Sequence, residues 1–104
     1  MNEFTDAITL FKEATPFKDY LPELQTPISN REQLIGFLLP YVRNLLDFKM
    51  DELLKIMYRV DVDETKFKNT LASAEPEKLA EKITELLVDR QLQKIFFRRK
   101  YSSS

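Results

Sequence analysis

The chain has 104 residues, 43% of them apolar and 32% charged, with a net charge of −1. That is the composition of an ordinary globular protein long enough for one core, and not of a disordered one. There is no Cys and no His, which excludes disulfide frameworks, thiol nucleophiles, Ser-His-acid triads and His- or Cys-based metal sites. Catalysis would have to rely on carboxylates, Lys or Tyr, and no constellation of these stands out. Near-neutrality removes the long-range pull expected of a dedicated nucleic-acid binder. No apolar run reaches membrane-spanning length and no basic-then-apolar leader opens the chain, so a cytoplasmic protein is expected.

A first helix is expected over Thr5 to Glu13, with Phe4, Ile8 and Phe11 on one face. Pro16, Pro22 and Pro27 then interrupt the chain at short intervals and favour a turn-rich connector. Phe17, Tyr20, Leu21, Leu24 and Ile28 make that connector too apolar to run free. It reads as an ordered segment laid across the other helices, with room for one helical turn.

Ser29-Asn30-Arg31-Glu32 has the form of a capping box opening a second helix. Leu34, Ile35, Leu38, Tyr41, Val42, Leu45 and Leu46 give that helix a broad apolar face. Pro40 should kink or split it near Leu39, because its ring crowds the preceding turn and its nitrogen donates nothing. Gly36, the only glycine, reads as a point of close helix contact. A third helix follows a break around Asp47 to Lys49 and runs from Met50 to Val60. Met50, Leu53, Leu54 and Met57 form its inner face. Asp63 has the character of an N-cap, and Val62 and Phe67 have the spacing of a hydrophobic staple. A fourth, short helix therefore ends near Ala74.

The last helix, Pro76 to Tyr101, is the longest and divides its charge along its length. Glu75, Glu77, Glu81, Glu85 and Asp89 dominate the start, while Arg90, Lys94, Arg98, Arg99 and Lys100 occupy the end. The macrodipole favours that order. At about 100° per residue, Leu79, Ala80, Ile83, Leu86 and Leu87 share a core face. The same projection sets Val88, Leu92, Ile95 and Phe96 on the opposite side. A helix apolar on two sides needs two partners, either both within the chain or one of them a second copy or a different protein. Val88, Leu92, Ile95 and Phe96 are accordingly the candidate self-association surface.

Arg98, Arg99 and Lys100 beside Phe96, Phe97 and Tyr101 are the candidate contact for an anion or a partner. Helix-end placement of cations accounts for the same residues without a ligand. Asp61-Val62-Asp63-Glu64 opens like a calcium loop, but Lys66 and Ala72 stand where Gly and Glu are required. Glu81 and Glu85 lie one turn apart, with Lys78 and Lys82 spaced to pair with them.

The segment MYRVDVDE and the later LLVDRQLQKIFFRRKY resemble small uncharacterised helical proteins from bacteria. The resemblance spans roughly the second half of the chain. It implies an all-α cytoplasmic protein and assigns no functional residues.

The expected architecture is all-α: one helical domain, residues 1–104, a compact bundle of about five helices with residues 1–4 and 102–104 frayed. The expected function is a non-enzymatic interaction or regulatory protein without cofactor, a homo-oligomer or bound to a protein partner. A weak nucleic-acid-binding module using the basic end is the alternative.

Overall fold

A computed structural model describes residues 2–102, apart from the side chain of Ser102. Among the described residues there are five α-helices and no strand. They are α1 (Glu3–Ala14), α2 (Arg31–Phe48), α3 (Met50–Val60), α4 (Glu64–Ser73) and α5 (Pro76–Ser102), with a 3₁₀ turn at Pro16–Asp19. The protein is all-α. At about 1.5 Å per residue α5 is ~40 Å long, close to the 42 Å longest dimension of the molecule. The other four helices all pack on it, α2 most extensively.

The starts of α1, α2 and α4 follow from a local side-chain acceptor. The Asn2 carboxamide accepts from Thr5 N at 2.8 Å and starts α1, while its own amide donates to Ile28 O at 3.0 Å. Residues 2–4 therefore belong to the fold where fraying was expected, and residues 1, 103 and 104 lie outside the described residues. Buried Thr15 turns the chain after α1. Its hydroxyl donates to Phe11 O at 2.6 Å and accepts from Phe17 N at 3.1 Å. That geometry sets the Phe17 ring edge-on to Phe11, with centroids 5.5 Å apart. The proline-rich connector is ordered against the core through buried Leu21 and Ile28.

Two expectations for α2 need correction, and a third in part. Its N-cap is Asn30 and not Ser29, since Asn30 Oδ1 accepts from Gln33 N at 2.8 Å. Gln33 reaches back to accept from Ser29 N at 2.8 Å, so the return bond of the box goes to the residue before the N-cap instead of to the cap itself. Pro40 does not split the helix, which runs unbroken from Arg31 to Phe48. Gly36 makes no close helix contact: it is exposed, and a Cβ there would meet nothing within 4 Å.

The α2–α3 break falls at Lys49, whose N–H still closes on Leu45 O at 2.8 Å. α3 ends at Asp61, which is left-handed at φ 63°. Val62 N then donates to Met57 O at 3.1 Å, the six-to-one closure of a Schellman turn. Asp63 caps α4 through Lys66 N at 2.9 Å, and Phe67 is buried with Val62 packed beside the same core.

Candidate functional surface

The buried face of α5 comprises Ala80, Ile83, Thr84, Leu87, Val88, Gln91 and Ile95. Those positions recur at intervals of three and four residues, the repeat of one helical face. The two apolar stripes seen in the sequence are thus the two edges of one face. Its centre is polar in sequence, occupied by Thr84 and Gln91, and so escapes a search for apolar residues. The Thr84 hydroxyl donates to Ala80 O at 2.7 Å. The Gln91 side chain is 1% exposed and its Nε2 has no hydrogen-bond partner.

The proposed association stripe therefore divides. Val88 and Ile95 are buried in this chain's own core and cannot meet a second copy. Leu92 is half-buried against that core. Phe96 alone of the four is a surface residue, 59% exposed. Every residue from Phe96 to Tyr101 is exposed, so the last turns of α5 stand clear of close packing. Within them Phe96 and Phe97 meet edge-on with centroids 5.6 Å apart. Phe97 and Tyr101 stack at 6.1 Å and 15°. Phe97 and Tyr101 share a flank because they are four residues apart.

The basic triplet does not act as one patch, because successive residues point about 100° apart. Arg99 forms an ion pair with Asp6 of α1. The Lys100 ammonium lies 5.8 Å from the centre of the Tyr101 ring. Arg98 borders a depression with Asp6, Thr9, Glu13 and Ile95.

Two of the cations at the basic end of α5 finish α3. Arg90 Nε donates to Asp61 O at 3.0 Å and its Nη2 to Asp61 Oδ2 at 3.2 Å. Lys94 Nζ donates to Arg59 O at 3.4 Å. Cations at a helix C-terminus complement its carbonyls and its dipole. Burial holds the Lys94 ammonium below its ordinary pKa, with Arg90 and Arg98 acting in the same sense and Asp61 opposing.

The acids of α5 also differ from expectation. Among the described residues Lys78 and Lys82 form no ion pair with Glu81 or Glu85. Arg31 of α2 takes that role, with bonds of 2.7 and 3.0 Å to Asp89 and an approach of 4.0 Å to Glu85. The Arg31 guanidinium is raised above its ordinary pKa chiefly by the Asp89 hydrogen bond. Among the described residues no group of three His, Cys, Asp or Glu is placed to hold a metal ion. No helix there is long and apolar enough to cross a membrane. No protein-family model, curated protein or solved structure matches this chain, so its own geometry is what bears on its function.

Proposed function

We propose that this protein is a non-enzymatic interaction module that self-associates through the last turns of α5. Phe96, Phe97 and Tyr101 are the anchors, with Leu92 at the edge of the contact. The observation that carries the reading is the concentration of three exposed aromatic rings at one end of the longest helix, with Phe97 against both Phe96 and Tyr101. Exposed aromatics scattered singly need no explanation, whereas a contiguous set marks a contact surface. Phe and Tyr are among the residue types enriched at such surfaces.

A second copy is the partner that the charge pattern favours. Glu77 and Glu81 are exposed and have no ion-pair partner among the described residues. An antiparallel α5 pair sets this acidic start against the partner's basic end, and two-fold symmetry repeats the match. The test is amide NMR on dilution. Concentration-dependent shifts confined to residues around 77–81 and 92–101 support the reading, and shifts unchanged across the micromolar range refute it.

Weak single-stranded nucleic-acid binding is the second reading, favoured by the Lys100 cation beside the exposed Tyr101 ring. Few cations are available for phosphates, so such binding is expected to disappear at physiological salt.

A further inference from the structure

The end of α2 gathers polar groups that the rest of the chain leaves unused. Tyr41, Asn44 and Leu45 share one flank of α2, since they are three and four residues apart. The helix stops at Lys49, the single residue between α2 and α3, which is not helical at φ −143° and ψ 59°. Tyr20 comes from the connector before α2, where it closes the 3₁₀ turn by donating its N–H to Phe17 O at 2.9 Å. Tyr20, Tyr41, Asn44, Leu45 and Lys49 together line one depression of about 230 Å³.

Both tyrosines are half-buried against the core, and the Tyr41 ring also meets Phe37, with centroids 6.1 Å apart. Leu45 is buried and supplies an apolar wall. The Lys49 ammonium lies 5.6 Å from the centre of the Tyr20 ring. A ring face attracts a cation but brings no counter-charge. Among the described residues Lys49 has no ion-pair partner. Neither phenol hydroxyl nor the Asn44 carboxamide has a hydrogen-bond partner among them. No acid lines the depression.

We infer that this depression binds a small organic acid through its carboxylate. The one charge of Lys49 matches a monoanion, and the Asn44 amide and two phenol hydroxyls are neutral donors for its oxygens. The tyrosine rings and Leu45 offer apolar contact to its body, the usual division of roles in a small-molecule site. At ~30 Å³ for each water in the liquid, the space equals about eight waters. That suits an acid the size of benzoate.

The site is tested by NMR titration of the full chain with benzoate and, separately, with its neutral isostere benzamide, at about 0.15 M salt. Saturable shifts at residues 20, 41, 44 and 49 are expected with benzoate. Benzamide should bind about tenfold more weakly or worse, equivalent to ~1.4 kcal/mol. Lys49→Gln should weaken benzoate binding by at least the same factor, because it removes the charge. Arg43→Gln makes the same change in net charge at a position outside the depression, and its affinity should match wild type. Both side chains are exposed, and an unchanged thermal melt confirms that each variant is folded. Four results would each overturn the inference. They are non-saturating shifts up to about 10 mM benzoate, equal affinity for benzamide, wild-type affinity in Lys49→Gln, and equal losses in the two variants.

Discussion

Arg31 and Asp89, 58 positions apart in the chain, face each other as a two-pronged pair, Nε to Oδ1 at 2.7 Å and Nη2 to Oδ2 at 3.0 Å. The pair fixes the start of α2 to the middle of α5, the two elements with the most extensive contact. Fork-to-carboxylate geometry is the strong form of ion pair. Partial exposure of both side chains, 37% and 56%, reduces its worth through solvent screening. Asp89→Asn is therefore expected to lower stability by at most about 1 kcal/mol. Urea titrations at low and high salt check this. The difference from wild type should shrink in high salt, and a salt-independent loss would show that the pair acts by packing instead.

Two residues in α2 work against their own helix. Gly36 carries a backbone entropy cost of about 0.5–1 kcal/mol relative to Ala, and a methyl group there meets open space. Pro40 lies inside a continuous helix although it lacks a donor, a conflict of about 3 kcal/mol. Gly36→Ala should raise the unfolding free energy by roughly its entropy term, and Pro40→Ala by more than that. Thermal melts ordered wild type, Gly36→Ala, Pro40→Ala are the expected result. A Pro40→Ala protein no more stable than wild type would mean that the proline is matched by compensation elsewhere.

Gln91 places an unpartnered amide nitrogen in the core. Leaving a buried donor unmade costs about 1–3 kcal/mol. Gln91→Leu keeps a similar volume and removes the donor, so its melting temperature should rise by several degrees, about 4–8 °C for each kcal/mol in a chain of this size. A fall in melting temperature would show that the amide is satisfied in solution.

Much of this fold was legible in the sequence, and what was missed has physical causes. The bounds of α3, the Asp63 cap and the extent of α5 follow from apolar spacing and capping chemistry, which are local properties. The shift of the α2 cap from Ser29 to Asn30 depended on which of two good acceptors won, a choice within the reach of Gln33. The continuity of α2 through Pro40 goes against a local rule, as happens where packing on either side holds the helix. The largest misreading was on α5, where polar Thr84 and Gln91 stand at the centre of the buried face and made one broad surface look like two. The engagement of Arg90 with Asp61 and of Arg99 with Asp6 joins positions 29 and 93 apart, which no local pattern encodes.

The division of the α5 stripe gives the self-association reading its most direct test, which is sedimentation velocity on wild type, Phe96→Glu/Tyr101→Glu and Ile95→Ala across micromolar concentrations. Ile95 is 4% exposed in the core, so its truncation should cost about 2–5 kcal/mol of stability. The sedimentation of whatever remains folded should match wild type. Phe96 and Tyr101 are at the surface, so charging them should leave the melt nearly unchanged. Wild type is predicted to sediment faster as concentration rises, and the Phe96→Glu/Tyr101→Glu protein to remain a monomer throughout. A wild type that stays monomeric over that range would contradict self-association through the end of α5.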